Sequence, residues 1–461
     1  MSNNIKKSRF LIPYKNRGKK SDRNMENWEN MKIASKYLTE NIGMLFRQGE
    51  DSVCRFQRLK KSAYSRFGLG EGTIQLYYKG NNNGEKMHYE FRINDIFEAQ
   101  FITGVSIFVL DIGYDATEEL KNIANIGFAI SHLELRGDVE KDLLINTSGK
   151  NPYSNISFEQ QHDNEGEKRT IIFSDILKKM IVGDREKDDI EITGRIIAYH
   201  NLVIEQECTE DNCMLFFLRR CRKYIENKDY ACCYDESLCK CPKAGGDYCQ
   251  SSYEKEIEFK YENSKNIILS GCSNGVVSLA KSNNFVKNCH VKNIYKDYFL
   301  LFLYVVHERE VLLGYSSEIV GCYNDEKRMF KLKDQMMRFN VLFGFNLASQ
   351  EMAYQKFYEN LYKAFRLEML EKETQEILGK LTEFQEKKRK ARTGKILGII
   401  SVVSLFSAIK IFAEFIRLIP NIGEVLSYVI AASIVIVAIF VGYVGVRLKE
   451  RKEAIFSKRK K

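Results

Sequence analysis

From Val425 to Val446 the chain runs VLSYVIAASIVIVAIFVGYVGV, twenty-two residues without a charge. As a helix rising 1.5 Å per residue it would reach about 33 Å, enough to cross a hydrocarbon core of roughly 30 Å. Core helices of soluble domains rarely run so far uncharged, so the segment is read as membrane-spanning. A second apolar run, Ile396–Ile419, lies upstream and is interrupted by Lys410, Glu414 and Arg417. Its first fourteen residues are uncharged, Lys410 and Glu414 stand at i,i+4 near one end, and Pro420 follows it. Long charged side chains near a helix end can pair or snorkel, so a second span is expected. An amphipathic helix in the interface is the competing reading.

Flanking charge sets an expected orientation. Lys387, Lys388, Arg389, Lys390, Arg392 and Lys395 precede the first run. Arg447, Lys449, Arg451, Lys452, Lys458, Arg459, Lys460 and Lys461 follow the second. The connector Pro420-Asn421-Ile422-Gly423 holds no such cluster, so both termini are expected in the cytosol of a multi-pass inner-membrane protein. From Glu386 onward sixteen Lys/Arg stand against five Asp/Glu, which more than accounts for the net charge of +10. Basicity thus belongs to the membrane border, and direct nucleic-acid binding is not expected. The first twenty-four residues carry Lys6, Lys7, Arg9, Lys15, Arg17, Lys19, Lys20 and Arg23 without an apolar h-region. They read as a basic disordered arm near anionic lipid rather than a secretory signal.

The stretch before the membrane runs has a mixed texture. Thr73–Ile93 alternates around an Asn-Gly, a hairpin signature. Gly104–Asp115 reads as a buried strand followed by a helix, Phe173–Ile181 as a short amphipathic helix, and Glu191–Ile204 as one or two strands. Asn293–Val320 reads as a helix apolar almost all round in its first half, with His307 expected in its core. Beyond it, residues 331–393 are rich in helix formers, and Leu367, Leu370, Thr374, Ile377, Leu381 and Phe384 form a heptad-like seam. A break near Gly344 is allowed for. The expected organisation is a basic arm (1–24), an α/β cytosolic domain (25–330), a long stalk helix (331–393), two transmembrane helices (394–446) and a basic tail (447–461).

Candidate chemistry is sparse. Eight of the twelve cysteines, Cys208, Cys213, Cys221, Cys232, Cys233, Cys239, Cys241 and Cys249, fall within 208–249. No pair has the Cys-x2-Cys spacing of a zinc knuckle, so a surface insertion with unligated thiols is expected and no metal is assigned. A cytosolic placement also argues against disulfides. Gly271, Ser273, Asn274 and Gly275 follow a strand-like NIILS and could present backbone N–H groups to a phosphate, a strand-ending turn being the alternative. Gly68–Gly72 is not a dinucleotide fingerprint, because no helix pattern follows it. Walker, HExxH and GxSxG motifs are absent, and the chain does not read as an enzyme. Gly398, Ser401, Ser404, Ser407 and Ala408 are small or hydroxylated, suited to close helix packing or a wet pore.

This layout resembles the CorA-type divalent-cation channel family. The resemblance covers Asn293 onward, with FLLFLYVVHEREVLL similar to the apolar helix preceding that family's stalk. It implies a homopentameric funnel whose first membrane helix lines the pore. Ser401, Ser404, Ala408 and Asn421 would then be pore-lining, with Lys410, Glu414 and Arg417 at the outer mouth. The family's Gly-Met-Asn signature is missing; the matching stretch is Arg417–Gly423, where Asn421 alone could substitute. CorA-like membrane effectors of type III CRISPR systems are similar in outline and respond to a nucleotide second messenger. The resemblance therefore implies a nucleotide or divalent-cation ligand and no resident cofactor. A magnesium transporter and a membrane-tethered adaptor without a pore are the alternatives.

Overall fold

In the computed structural model, apart from short loop gaps, residues 6–16, 26–47, 52–79, 86–133, 157–161, 168–208, 259–417 and 423–437 are described, with Cys213 and Phe216. They fall into two units, Met1–Glu376 and Ile377–Lys461.

In the first unit, β1 (Lys6–Asn16) and β2 (Trp28–Asn30) precede α1 (Glu40–Leu45) and β3 (Cys54–Leu59). Next come β4 (Thr73–Lys79), β5 (Lys86–Phe101), β6 (Val105–Gly113), α2 (Leu120–Ser131), β7 (Ser157–Gln161) and β8 (Lys168–Ile172). Then follow α3 (Phe173–Val182), β9 (Ile190–Ile192), β10 (Ile197–Ile204), β11 (Phe259–Ser264), β12 (Ile267–Cys272) and β13 (Gly275–Lys281). The chain continues through α4 (Asp297–Gly321), α5 (Glu326–Phe343), α6 (Met352–Ala364) and α7 (Leu367–Ile416).

All thirteen described strands join one sheet, with central order β13-β10-β1-β6-β5-β4. Every pairing is antiparallel except β10 with β13. The expected α/β domain is present, built on a largely antiparallel sheet. The anticipated hairpin is β4–β5, paired from Thr73↔Arg92 to Lys79↔Lys86.

The amino-terminal segment departs from expectation. Lys6–Asn16 is not a disordered arm but a central strand between β10 and β6. Phe10, Ile12 and Tyr14 enter one core and Leu11 the other, all fully buried. A strand covered on both faces needs a continuous apolar run, and FLIPY supplies it. Its basic residues are partnered: the Lys6 ammonium donates to the Ala116 and Glu118 carbonyls, and Arg9 pairs with Asp111 at 2.7 Å. Pro13 falls where β1 changes neighbour, after the last β10 pair (Leu11↔Ile197) and before the first β9 pair (Tyr14↔Ile192). Its missing N–H is tolerated there.

The sheet separates two apolar clusters. On one face Phe10, Ile12, Leu110 and Ile112 meet Ile123, Ile126 and Ile130 of α2 and Ile176, Leu177 and Met180 of α3. On the other, Leu11, Phe97, Val109, Tyr199 and Leu269 meet Phe299–Val306 of α4, Phe343 of α5, Phe357 and Leu361 of α6, and Leu367 of α7. The first half of α4 is buried on every side, as its all-round apolar composition requires.

The single stalk helix expected over 331–393 is divided. Helix α5 ends at Phe343 with Gly344 as its cap, and α6 is separated from α7 by Arg366 at φ 54°. A non-glycine residue in the left-handed region ends a helix as a C-terminal cap does, at a cost of about 1–2 kcal/mol. From Leu367 the helix is unbroken for 50 residues. The seam is shifted as well. Thr374 and Leu378 are buried, whereas Ile377 and Phe384 are 39% and 45% exposed.

In the second unit, a further apolar helix α8 (Glu424–Val437) follows the remainder of α7. Helix α7 is long and apolar enough to cross a membrane; the described part of α8 is shorter than a span. Most of the cysteine-rich stretch, and residues 438–446 of the uncharged run, lie outside the described residues.

Candidate functional site

The apolar half of α7 is the first candidate. Ile396, Leu397, Ile399, Ile400, Val402, Val403, Phe406, Ile411 and Phe412 are all exposed large hydrophobics on this one helix. A surface of this kind, spread all round a helix, needs lipid or protein cover. Its hydroxyls cost little in an apolar medium, because Ser401 Oγ donates to the Leu397 carbonyl (2.7 Å) and Ser407 Oγ to that of Val403 (3.1 Å).

Helical geometry sorts the expected pore residues. At about 100° per residue, Ser404 and Ala408 fall within about 60° of Ser401, so these three share a face. Lys410 and Glu414 fall about 180° and 220° from Ser401, on the opposite side. One straight helix cannot turn both sets towards the same lumen. Leu405, Ala408, Ile409, Ala413 and Ile416 are the less exposed positions; Leu405 and Ala408 fall within about 40° of Ser401, Ile409 and Ile416 about 60–80° from it and Ala413 about 120°, while Lys410 and Glu414 are exposed. Arg417 pairs with Glu424 across the connector at 3.1 Å, a partner the spacing argument missed. Asn421 lies outside the described residues.

The expected phosphate-binding segment is the end of the β12–β13 hairpin: Ser273 and Asn274 form the turn, closed by the pair Cys272↔Gly275, and Gly271 and Gly275 lie in the flanking strands. Each glycine has a packing reason. A Cβ on Gly275 would sit 2.4 Å from the Ala198 carbonyl oxygen, and one on Gly271 would meet the Phe259 ring at 2.3 Å. The Asn274 carbonyl accepts from Ala198 N (3.3 Å), and Ser273 and Asn274 are partly exposed. The geometry is that of a strand-ending turn held against β10.

His307 lies in the core of α4 as expected; what sequence reasoning missed is the buried polar layer to which it belongs. His307, Glu308, Arg309 and Glu310 are consecutive and all buried, so together they face every side of the helix. His307 Nε2 shares a 2.8 Å hydrogen bond with Thr103 Oγ1, and its ring stacks on Phe101 at 3.8 Å. Burial holds its pKa down at about 3, so the imidazole is neutral. Burial pushes the Glu308 carboxyl well above its ordinary range; the Tyr304 hydroxyl relieves part of this and Glu371 on α7 adds to it. Glu308 Oε2 has no hydrogen-bond partner among the described residues. The Arg309 guanidinium lies 5.5 Å from the Phe365 ring and 3.8 Å from the Glu310 carboxylate. Burial also raises Glu310, against the pull of Arg309. The readable signal was four ionisable residues interrupting a helix apolar on all sides.

Beside this layer, Lys15, Asn16, Thr103, Gly104, Val311, Gly314, Tyr315 and Glu318 line a cleft of ≈ 120 Å³, across which Lys15 and Glu318 stand 3.6 Å apart. That volume suits a few waters or a small ion, well below the roughly 300 Å³ of small-molecule pockets. No group of three or more His, Cys, Asp or Glu among the described residues could hold a metal ion. No family model matches this chain, and neither a curated protein nor a solved structure matches it.

Proposed function

We propose that this chain is an oligomeric, CorA-like membrane channel of the inner membrane. Its sheet domain is cytosolic and answers a nucleotide second messenger, as an antiviral effector would. The observation that carries the reading is α7. One uninterrupted helix begins with Leu367 and Thr374 buried in the sheet unit and later presents exposed apolar side chains around Lys410 and Glu414. A ligand that favours one arrangement of the sheet domain then acts on a chain segment that continues directly into the apolar one.

In this reading the charged face of α7 lines the lumen. Ionised side chains at membrane depth are expensive against lipid and belong to an aqueous interior or an interface. Facing inward with Lys410 and Glu414 would be Ile399, Val403 and Ser407, at spacings of three and four. The Ser401, Ser404 and Ala408 face would pack against the second membrane helix, where small residues permit close approach. Residues 425–446 supply that second span, both termini stay in the cytosol, and five copies close the ring.

The serine hydroxyls that bond back to their own helix equally suit a membrane anchor without a pore. Topology and assembly separate the first step of the proposal from its failure. Asn421→Cys in intact spheroplasts should react with an impermeant thiol reagent while the Cys232 region stays protected, and mass measurement in detergent should give a pentamer. External labelling of the Cys232 region, or a monodisperse monomer, contradicts the proposal.

A further inference from the structure

We propose that Glu308 and Tyr304 form a proton-operated latch on the carboxyl-terminal end of α5. The device belongs to the sheet unit and stands whether or not α7 enters a bilayer.

Helix α5 ends on a tight turn held from outside. Gly344, at φ −77° and ψ 53°, makes an inverse γ-turn in which the Phe345 N–H donates back to the Phe343 carbonyl at 2.8 Å. Carbonyls in the last turn of a helix have no partner within it, so they look elsewhere for donors. The second donor to Phe343 is the Tyr304 hydroxyl, which reaches across from α4. Tyr358 of α6 donates to the Phe345 carbonyl at 3.1 Å. Two tyrosines from two helices thus hold the joint between α5 and α6.

Tyr304 has a second claimant. Glu308 stands one helical turn after it, buried, and has the Tyr304 hydroxyl as its hydrogen-bonding neighbour. A phenol has a single proton to give. With Glu308 protonated, its O–H donates to the Tyr304 oxygen and the Tyr304 proton goes on to the Phe343 carbonyl. Every group in that chain is satisfied. An ionised Glu308 can only accept. It then takes the Tyr304 proton, because a bond to a charged acceptor is roughly twice as strong as one between neutral groups. The Phe343 carbonyl loses its tie to α4. The structure holds the first arrangement: Tyr304 donates to Phe343, and Glu308 Oε2 has no partner among the described residues.

The surroundings fix the direction of the response. Facing Glu308 are Tyr304 on its own helix, Tyr358 and Tyr362 of α6, and Glu371 of α7. Helix α5 presents its carbonyl end, which carries partial negative charge. Arg309, the next residue along α4, is directed to Phe365 and Glu310 instead. None of the facing groups is a cation, and burial and Glu371 both act to raise the Glu308 carboxyl above its ordinary range. The closed latch is therefore the low-pH state, and rising pH releases the α5–α6 joint.

The test follows hydrogen exchange by mass spectrometry in the full chain in detergent from pH 5 to pH 9. A peptide over 339–345 is compared with one over α3 of the same molecule, which cancels the pH dependence of the exchange chemistry itself. In wild type the 339–345 peptide should lose about tenfold in protection relative to α3 as pH rises, the effect of about one hydrogen bond. Glu308→Gln, whose amide donates to Tyr304 at every pH, should keep its protection throughout. Tyr304→Phe should lack that protection at both ends of the range. A constant ratio in wild type, a Glu308→Gln variant that follows wild type, or a Tyr304→Phe variant that keeps the wild-type pH response would each overturn the latch. The wild-type ratio needs no variant, so a variant that fails to fold leaves the test decisive.

Discussion

Tyr362 on α6 donates a 2.9 Å hydrogen bond to the Glu371 carboxylate on α7, closing the bend at Arg366 with a side-chain pair. Burial holds the Glu371 carboxyl above its ordinary range, with the Tyr362 hydrogen bond acting in the other direction. Glu308, fully buried on α4, is raised further, and Glu371 contributes to that rise. Two carboxyls whose pKa values burial raises thus stand where the sheet unit meets the root of the long helix.

Their pH dependence has a definite sign. Each folded-state pKa lies above the ordinary 4.5. The stability they contribute is fully present below that value and is lost as pH rises through the folded one. Glu308→Gln mimics the protonated acid and removes the dependence at one site. Its Tm in detergent should match wild type near pH 4.5 and exceed it increasingly towards pH 8, by about 2–4 °C for each kcal/mol recovered. An unchanged difference across this range would remove Glu308 as the titrating group.

His307 works in the opposite direction. Its folded pKa of about 3 lies below the ordinary 6.5, so its contribution is present above 6.5 and is lost as pH falls towards 3. His307→Phe keeps a ring beside Phe101 and removes the protonation. The variant should show a shallower fall in Tm between pH 6.5 and pH 4 than wild type. The lost Thr103 bond should lower its Tm at neutral pH by the equivalent of about 1 kcal/mol.

The β12–β13 turn offers a test of the phosphate reading. Gly275→Ala places a methyl 2.4 Å from a backbone oxygen and should cost about 1–3 kcal/mol or abolish expression. Ser273→Ala and Asn274→Ala touch the partly exposed turn and should leave both Tm and any nucleotide binding unchanged. Loss of nucleotide binding in either of these two at constant Tm would restore the turn as a ligand site.

Most of the sheet unit was legible because its segments carry clear patterns: the β4–β5 hairpin around Asn-Gly, the largely apolar β6, and the first half of α4, apolar all round. β1 was not, because Lys6, Lys7, Arg9 and Lys15 made charge the dominant local signal while five residues carried the strand. Partners 100 or more positions away, such as Asp111 and Glu118, are invisible to local pattern. The break at Arg366 escaped for a related reason, since glycine marks most left-handed caps and an arginine does not. The hydroxyl and charged sets on α7 were grouped by spacing along the chain, and only the rotation of an unbroken helix separates them.

That separation predicts which face of α7 meets water. Cysteines at Ile399, Val403 and Ser407 should react with a small aqueous thiol reagent in open proteoliposomes and block flux. Cysteines at Ser401 and Ser404 should react slowly or not at all. The reverse pattern would place the hydroxyl face in the lumen and leave Lys410 and Glu414 to be paired at a helix interface.

Ion flux from proteoliposomes, measured across a magnesium series with and without candidate nucleotide messengers, tests the channel and its gating together. Fixed positive charge at Lys410 opposes entry of hydrated divalent cations, so selectivity for magnesium should be weak. Flux should rise on addition of a nucleotide to the cytosolic side and be insensitive to cytosolic magnesium. Constitutive magnesium-selective flux that cytosolic magnesium shuts off, with no response to any nucleotide, would contradict it.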